Sequence, residues 1–393
     1  MKILITTIFD YPHEGGLSTH VSTLKKGLEE RGHQVDVLSF SNINPLLRKV
    51  YAQAPGFIIN KVRKGKGQLI NDRQRQKLLS SHLDSIKNNY DVINSQDVFA
   101  ANASIEMGIP TVATVHGYYS FEAISRGALI ENSKEDLVVQ KIEEKAYQRA
   151  AKVVAVDKRI SEYIKKKSNV TASIIRNFID VDAFQPDKIN TKSIREKYGI
   201  PENVNILFVP RRLTEKNGVK YPSLALPKVL EKHPNTLLMY AGTGEQFEKI
   251  QEIIKQNNLS NNVKMLGSVP HEEMMGLYAL SDIVLVPSVY SHGVEEATSI
   301  SALEAMGSGS PVIAGAVGGL KEIFENDVDG ILVKEKDVDD LSNAIIRILD
   351  DPEFGKKLAI NARAKVEREY SHLSAAEKFE QIYTEAIKKN AIK

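Results

Sequence analysis

The chain of 393 residues carries a formal net charge of only +2, and 42% of its residues are hydrophobic. This length exceeds what one hydrophobic core usually supports, so two domains are expected. No apolar run reaches the ~18 residues of a membrane-spanning helix, and the lack of cysteine excludes disulfides, thiol catalysis and thiolate metal sites.

The opening residues MKILITTIFD contain one lysine and a short apolar run that ends at Asp10. This pattern suits a buried first strand better than a signal peptide, so we expect a cytoplasmic protein. Short β-branched runs then alternate with helical stretches, which is typical of a parallel sheet covered by helices on both faces. The predicted strands of this first half are 2–7, 34–40, 91–94, 111–116, 152–156 and 172–175, and the clearest helices are 18–31, 134–149 and 158–167.

Two loops of the first half carry candidate site residues. Gly15 and Gly16 follow the first strand and precede a helix, which lets the backbone approach a phosphate closely. His116 ends the fourth strand, where its ring can donate a hydrogen bond to a ligand hydroxyl or help position a second substrate. A tight turn for the glycines and a core position for the histidine are the alternatives.

The segment 48–77 is strongly basic and contains a single acid, Asp72. Within it lies the apolar stretch GFII at 56–59, so a basic face could rest on anionic lipid headgroups while Phe57 and Ile58 enter the interface. A solvated, partly flexible surface segment explains the charge equally well. Nucleic acid is not expected as a partner, because no aromatic stacking platform or binding motif accompanies the charge. The basic residues are Arg48, Lys49, Lys61, Arg63, Lys64, Lys66, Arg73, Arg75 and Lys77.

The alternation of strands and helices restarts after a polar stretch at 185–199. We therefore predict an α/β fold of two Rossmann-like, doubly wound domains, 1–185 and 186–370, whose ligand lies in a cleft at the carboxyl ends of the strands. The last helix, 371–389, has no strand after it and could pack back on the first domain, so residues 371–393 are assigned there. The predicted strands of the second half are 205–210, 236–241, 262–266, 282–287, 311–314 and 330–333.

Two loops of the second half indicate an anion site. The sequence PRRLTEKNG at 210–218 brings Arg211, Arg212 and Lys216 to the edge of the predicted sheet, although one of the two arginines could serve solubility alone. Forked arginine donors and a lysine point charge suit a diphosphate, whose growing charge fixed cations can neutralise during transfer. Gly242 follows the next strand, but the complete G-x-G-x-x-G fingerprint of a dinucleotide site is absent.

The most informative feature is a pair of glutamates, Glu296 and Glu304, separated by seven residues. Thr298 and Ser299, between them, are residue types that cap helices. Eight helical residues rise about 12 Å, which exceeds the roughly 5 to 9.5 Å between paired glycosidase carboxylates. The two glutamates are therefore expected to hold opposite ends of one long ligand, with helix N–H groups binding an anion between them. A capping box of Ser301 and Glu304 is the alternative reading.

Metal ligands are not expected. Three Asp-x-Asp strings occur, at 180–182, 327–329 and 337–339, but all lie in predicted turns or helix starts and none ends a buried strand. We therefore predict no metal ion and no other cofactor.

Together these motifs resemble glycosyltransferase family 4, retaining enzymes of the GT-B fold, over nearly the whole chain. The resemblance implies that Glu296 contacts the donor sugar, Glu304 holds the ribose, and backbone near Ser299 and Ile300 meets the diphosphate. Two departures are ATS after the first glutamate, in place of a glycine-bearing turn, and Asn94 and Gln96 in place of a His-x-His. The other implied donor-site residues are Arg212 and Lys216 at the diphosphate, Gly15 and Gly16 in a loop closing over it, His116 near the sugar, Val269 at the nucleobase, and Gly242 and Thr298 nearby.

The resemblance predicts a hexosyltransferase that moves a sugar, with retention, from a nucleotide diphosphate sugar to an acceptor hydroxyl. The acceptor would be a glycan, a lipid-linked molecule or a small molecule, in cell-surface glycan or glycolipid synthesis. We expect the enzyme in the cytoplasm, with peripheral contact to the inner face of the plasma membrane through the basic segment. A hydrolysing nucleotide-sugar epimerase and a non-catalytic nucleotide-sugar-binding protein are the alternatives.

Overall fold

The computed structural model describes residues 1–13, 16–55, 59, 66–125, 127–185, 189–291 and 298–391. The chain divides into two compact units, Met1–Arg176 with His372–Lys393, and Asn177–Ser371. Each unit contains one six-stranded sheet in which all neighbouring strands are parallel. Several residues singled out in the sequence lie outside the described residues, namely Gly15, Glu296, the apolar pair Phe57 and Ile58, and the basic residues Lys61, Arg63 and Lys64.

The sheet of the first unit has the order β2-β1-β3-β4-β5-β6. Every predicted strand of this half is present, within two residues at either end. Because β1 lies between β2 and β3, the chain winds in opposite directions on either side of β1, and ligands of such sheets bind at the carboxyl ends of the strands near this point. The strands are β1 Lys2–Thr6, β2 Gln34–Leu38, β3 Val92–Ser95, β4 Thr111–Val115, β5 Lys152–Ala155 and β6 Ser173–Ile174.

Helices cover this sheet, and the C-terminal helix is one of them. It packs on the first helix so closely that a Cβ at Gly27 would lie 2.5 Å from the carbonyl oxygen of His372. Asn94, on β3, donates to the Tyr383 hydroxyl at 2.7 Å and accepts from Thr114 at 2.7 Å. Asn94 therefore fastens the C-terminal helix to the sheet. The helices are α1 Gly16–Glu30, α2 Pro45–Leu47, a π-helical turn Arg48–Gln53, α3 Lys66–Ile86, α4 Val98–Glu106, α5 Tyr119–Ser125, α6 Lys134–Arg149, α7 Lys158–Ser168 and the C-terminal α16 His372–Ala391.

The sheet of the second unit has the order β12-β11-β10-β7-β8-β9, and again every predicted strand is present. Alternate residues of β7 enter different cores, with Ile206 and Phe208 in one and Leu207 and Val209 in the other. Such a strand is buried on both faces, which explains its unbroken apolar sequence. The strands are β7 Asn205–Val209, β8 Thr236–Ala241, β9 Val263–Gly267, β10 Ile283–Val286, β11 Val312–Gly315 and β12 Ile331–Val333.

The helices of the second unit cover both faces of its sheet. None of the helices in the described part of the chain, in either unit, combines the length and the apolar character needed to cross a bilayer. The helices of this unit are α8 Thr191–Lys197, α9 Lys220–Lys232, α10 Phe247–Gln256, α11 His271–Ala279, α12 Ile300–Gly307, α13 Leu320–Ile323, α14 Val338–Asp350 and α15 Pro352–Glu369.

Candidate active site

The loops that follow three neighbouring strands bring the candidate residues of the second unit together. Because β7 lies between β10 and β8, the loops after these strands are adjacent at the carboxyl edge of the sheet. This edge is also the switch point of the second unit, since the chain proceeds to β8 and β9 on one side and to β11 and β12 on the other. The loop that carries Gly242, the cationic loop and the start of α12 all belong to it.

The loop after β7 presents two exposed cations, Arg212 and Lys216. Its backbone is fixed, because the Asn217 amide donates to the Arg212 carbonyl at 2.7 Å and Val289 N–H donates to the Lys216 carbonyl at 2.9 Å. In the part of the chain that the structure describes, neither cationic side chain has a hydrogen-bond or ion-pair partner. Within the described residues, the loop therefore offers two exposed cations without ion-pair partners, on a backbone that hydrogen bonds hold in place.

Gly242 has a conformation that only glycine accommodates there. Its φ is 150°, and a Cβ at this position would lie 2.1 Å from the Arg211 carbonyl oxygen. Its N–H donates to the Gly267 carbonyl at 2.7 Å, which ties the loop after β8 to the end of β9. Val269, just beyond β9, is half-buried and packs against the core of this unit.

Arg211 is buried, with 7% of its surface exposed, so the interpretation of one arginine as a mere solubility residue is wrong for this position. Its terminal nitrogens donate to four neutral oxygens. Those of Ser299 and Ser301 accept from Nη1 at 2.6 and 2.8 Å, and those of Asn217 and Ser288 accept from Nη2 at 2.6 and 3.2 Å. Arg211 thereby joins the loops after β7 and β10 to the start of α12.

The start of α12 is left without a side-chain cap. Ser299 is the N-cap residue by position, as its residue type indicates, but its hydroxyl makes no cap hydrogen bond and instead accepts from Arg211. Thr298 is buried as well, and its carbonyl accepts from the Asn177 amide at 3.0 Å. Ile300, the first helical residue, is half-buried. Uncapped N–H groups at a helix start favour a bound anion, both by hydrogen bonding and through the helix dipole.

Glu304 lies inside α12 and is buried. The Tyr278 hydroxyl donates to its Oε2 at 2.9 Å. Burial raises the pKa of Glu304 to about 7, while the hydrogen bond from Tyr278 lowers it. The capping-box alternative is wrong, because Ser301 is the second residue of the helix and its hydroxyl oxygen accepts from Arg211.

The first unit has its own arrangement at the carboxyl ends of β1 and β3. Gly16 is exposed and begins α1, two residues before the predicted start at Ser18. Asp97 accepts from the Thr7 hydroxyl at 2.9 Å and from Ile8 N–H at 2.8 Å, so it joins the loop after β1 to the start of α4. Burial raises the pKa of Asp97.

His116 follows β4 directly and is half-buried. Its Nε2 lies 2.8 Å from the Oε1 of Gln96, and its ring meets the His20 ring edge-on at a centroid distance of 4.6 Å. Burial lowers the pKa of His116 to about 4, so the ring is neutral at physiological pH. Among the described residues, the Nε2 of Gln96 has no hydrogen-bond partner.

The contacts of His116 with Gln96 and His20 were not predicted from the sequence. Gln96 and His116 are the first residues after β3 and β4, which pair in parallel, and this shared position was the available signal. His20 gave no comparable signal, because the sequence alone does not show which face of α1 is buried. His20 is 2% exposed and was not expected to meet His116.

The Asp-x-Asp strings have structural partners, and Asp182 of the first string accepts from the Gln185 amide at 3.3 Å. Asp329 is buried and accepts from the Lys365 ammonium at 2.7 Å, and Asp327 accepts from Arg347 at 2.5 Å. Asp337 caps α14, and Asp339 pairs with Lys228 at 2.8 Å. Asp327, Asp329, Asp337 and Asp339 thus have structural roles within the second unit.

The structure is similar to enzymes of the GT-B fold. Sucrose-phosphate synthase from Thermosynechococcus elongatus superposes with a TM-score of 0.74 and 20% identity over 98% of both chains. Anabaena HepE, determined in complex with UDP and glucose, superposes with a TM-score of 0.69 and 19% identity over 98% of this chain and 99% of that one. Two Rossmann-like units with parallel six-stranded sheets thus form a GT-B glycosyltransferase fold, which confirms the predicted fold class.

Sequence comparisons identify the family. Residues 14–183 match the model described as Glycosyltransferase Family 4, and residues 190–365 match Glycosyl transferases group 1. The chain is 30% identical to an uncharacterized glycosyltransferase of Methanocaldococcus jannaschii over 98% of this chain and 99% of the relative. It is 25% identical to a D-inositol 3-phosphate glycosyltransferase of Corynebacterium jeikeium, over 94% and 92%. The chain belongs to glycosyltransferase family 4 and is an enzyme, so the non-catalytic alternative is wrong.

Proposed function

We propose that this enzyme transfers a sugar from a nucleoside diphosphate sugar to an acceptor hydroxyl, with retention at the anomeric carbon. The bond from the anomeric carbon to the diphosphate oxygen breaks, and its electron pair leaves with the diphosphate. The acceptor oxygen bonds to the same face of the anomeric carbon, and the acceptor proton leaves with the nucleoside diphosphate or passes to solvent. The product belongs to cell-surface glycan or glycolipid synthesis.

The observation that carries this proposal is the pair of uncompensated cations on a fixed loop, Arg212 and Lys216. Two positive charges on the loop that Arg211 joins to an uncapped helix start suit a ligand with two negative charges close together, as in a diphosphate. Since these donors are in place before reaction, they stabilise the charge that grows on the leaving group. We propose that they perform the neutralisation that a divalent ion performs in metal-dependent transferases.

The remaining residues take roles around this diphosphate. Glu304 accepts hydrogen bonds from the ribose hydroxyls, and the backbone near Val269 contacts the nucleobase. Gly15 and Gly16 close over the diphosphate. His116, which is neutral, donates to a sugar hydroxyl, and Glu296 supports the sugar electrostatically. A structure of Anabaena HepE contains UDP-glucose, which supports a donor of this class for a protein of the same fold.

A donor panel tests the proposal directly. UDP, GDP and ADP, and their glucose, mannose and N-acetylglucosamine conjugates, are screened for stabilisation of the fold, since a ligand that binds only the native state raises the melting temperature. The stabilising donor is then incubated with candidate acceptors, with and without EDTA, and the anomeric configuration of the product is read by NMR. Retained configuration and an EDTA-insensitive rate are expected.

Three outcomes contradict the proposal. An inverted product opposes retention, and loss of activity in EDTA opposes neutralisation by fixed cations. Release of an epimerised free sugar without acceptor would instead establish the hydrolysing epimerase. Glu296→Ala should abolish transfer while the melting temperature stays unchanged, and Glu325→Ala, an exposed glutamate of the same unit, is the matched control.

We further propose that the first unit docks on an anionic membrane. Four large apolar side chains lie exposed in and beside the π-helical turn, Leu46, Leu47, Val50 and Tyr51, at 70, 41, 52 and 55% exposure. Within the described residues 44–55 and 66–80 the exposed charges are all basic, because the one acid, Asp72, is buried and accepts from the Tyr119 hydroxyl at 2.7 Å. Apolar insertion beside basic residues is how interfacial segments bind anionic lipids. The exposed basic residues are Lys49, Lys66, Arg73 and Lys77.

Not every basic residue of the segment serves this surface. Arg48 pairs with Asp10 at 3.0 Å, and the Arg75 guanidinium stacks over the Phe40 ring at 4.4 Å, so both stabilise the first unit internally.

Co-sedimentation with phosphatidylcholine vesicles, with and without phosphatidylglycerol, tests docking of the first unit on an anionic membrane. Replacement of the four apolar residues by serine should abolish binding to the anionic vesicles. Ile360→Ser, another exposed apolar position, is the control, and equal sedimentation of both variants would refute the surface.

A further inference from the structure

The terminal nitrogens of Arg211 donate hydrogen bonds to neighbouring hydroxyl and amide oxygens. Nη1 donates both of its protons, to Ser299 and Ser301, and Nη2 donates both of its protons, to Asn217 and Ser288. A guanidinium has five N–H donors, and these contacts use all four that belong to the terminal nitrogens. Arg211 therefore cannot bind a phosphate through its terminal nitrogens without giving up one of these contacts, in contrast to the exposed Arg212.

The two serines that accept from Arg211 retain hydroxyl protons of their own. Their oxygens lie 3.2 Å apart, so one hydroxyl can donate to the other. In the described part of the chain, this neighbouring oxygen is the only acceptor available to either proton. At least one hydroxyl proton of the pair is therefore free to be donated to a ligand.

Arg211 also makes that proton a better donor. A hydroxyl oxygen that accepts a hydrogen bond from a cation is polarised, which strengthens the hydrogen bond that the same hydroxyl donates. Ser299 is the N-cap of α12 and Ser301 is its second residue, so both hydroxyls lie at the uncapped helix start. The buried Arg211 can thus strengthen hydrogen bonds to a ligand at the helix start, because it polarises the two serine hydroxyls.

We propose that Arg211 is a positioning residue for the diphosphate, acting through Ser299 and Ser301. Its guanidinium holds the two hydroxyls in place and polarises them, and the free hydroxyl proton is donated to a diphosphate oxygen of the donor. This inference rests on the proposed function, in which the start of α12 binds the diphosphate. The diphosphate would then be bound by a serine hydroxyl as well as by the exposed cations Arg212 and Lys216. An uncharged serine gave no sign of this role in the sequence.

The test compares phosphorylated and unphosphorylated ligands. The tightest binder among UDP, GDP and ADP is titrated by calorimetry, and its nucleoside is measured by competition, for wild type, Arg211→Met, Arg211→Lys and Ser299→Ala/Ser301→Ala. Loss of a hydrogen bond to a charged group should weaken diphosphate binding about 10- to 100-fold in Arg211→Met and in the serine variant. Nucleoside binding should change by less than about threefold, and Arg211→Lys should recover part of the loss.

Combining the substitutions gives the sharpest result. Because Arg211 acts through the serines, adding Ser299→Ala/Ser301→Ala to Arg211→Met should cause little further loss, whereas independent effects would multiply. Equal weakening of nucleoside and diphosphate, or multiplied losses, would overturn the inference. The serine variant keeps the test valid where Arg211→Met does not fold. If the wild type itself does not prefer the diphosphate to the nucleoside, the proposed function fails instead.

Discussion

The two units present chemically different edges at the carboxyl ends of their sheets. In the second unit the edge is ionic, with a buried Arg211, two exposed cations and a carboxyl group whose pKa is raised to about 7. In the first unit the two side chains that directly follow β3 and β4 form a neutral pair, since His116 has a pKa lowered to about 4 and its partner is the amide of Gln96. Burial causes both shifts, and in each case it favours the uncharged form.

In the proposed function, this difference separates two tasks of a sugar transfer. A leaving diphosphate gains charge, so it requires fixed positive groups, which the second unit supplies. A sugar or an acceptor hydroxyl gains little charge in the ground state, and neutral hydrogen-bonding groups can orient it with less desolvation of the protein. The first unit supplies such groups. Each prediction below changes one edge and leaves the other intact.

The largest effect is expected from removing both exposed cations. Arg212→Ala/Lys216→Ala should lower kcat at least about 10³-fold, because each fixed donor to a developing anion contributes about 10²- to 10³-fold in comparable sites. Steady-state kinetics with the donor identified by the panel measures this. Lys255→Ala, an exposed lysine on α10, should leave kcat unchanged. A loss below about tenfold in the double variant would place the diphosphate elsewhere.

Substitution of His116, in the neutral pair of the first unit, should lower kcat less than loss of the two cations, and the effect should not depend on pH. His116→Asn keeps a neutral donor but shortens its reach, so we expect kcat to fall about 10- to 100-fold while the affinity for the nucleoside diphosphate is unchanged. Because the pKa of His116 is about 4, its protonation cannot produce a limb in the wild-type rate profile above pH 5.5 or so. His82→Asn, an exposed histidine on α3, is the control. Weaker nucleotide binding in His116→Asn would contradict the division of tasks.

The fold was predictable because its signal is local and repeated. Each parallel strand is buried on both faces, so apolar runs such as Ile206 to Val209 stand out from the polar helix surfaces around them. The start of α12 and the helical position of Glu304 follow from residue type and spacing in the same way. The order of strands within each sheet does not follow from this alternation alone, because β1 has one strand on one side and four on the other, whereas β7 has two and three.

The polar contacts of the site were not predictable, because they join residues far apart in sequence. Tyr278 meets Glu304 across 26 positions, and Arg211 meets Ser299 across 88. Nothing in the local sequence of Arg211 distinguishes it from the exposed Arg212 beside it. The distinction depends on which side of the loop faces α12, and that is decided by tertiary packing.

The ionic edge should make donor binding depend on pH near neutrality. The carboxylate of Glu304 can accept from both ribose hydroxyls, whereas the protonated form has lost acceptor capacity. With a pKa of about 7 in the free enzyme, Glu304 becomes ionised as the pH rises from 6 to 8 or so, and affinity should rise with it. Below the pKa, each pH unit should lower affinity up to about tenfold.

Calorimetry in buffers of different ionisation enthalpy checks this prediction, because binding should release a proton from Glu304 near pH 7 or slightly below. Glu304→Gln should bind more weakly and lose the pH dependence. A wild-type affinity that stays flat between pH 6 and 8 or so would show that Glu304 does not titrate in the bound site.

The smallest effect is expected from Tyr278→Phe, which removes the hydrogen bond that lowers the pKa of Glu304. The pKa should rise above its wild-type value, so less carboxylate is present at pH 7 and donor affinity there should fall by less than about tenfold. Near pH 8.5 or so, where the carboxyl group ionises in both proteins, the two affinities should converge. Tyr240→Phe removes a buried tyrosine hydroxyl in the same unit, bonded to Ser223 at 2.7 Å, and should leave the pH profile unchanged. An affinity loss in Tyr278→Phe that is constant with pH would mean that the tyrosine affects the structure of α12 and not the pKa of Glu304. Burial alone would then account for the raised pKa of Glu304.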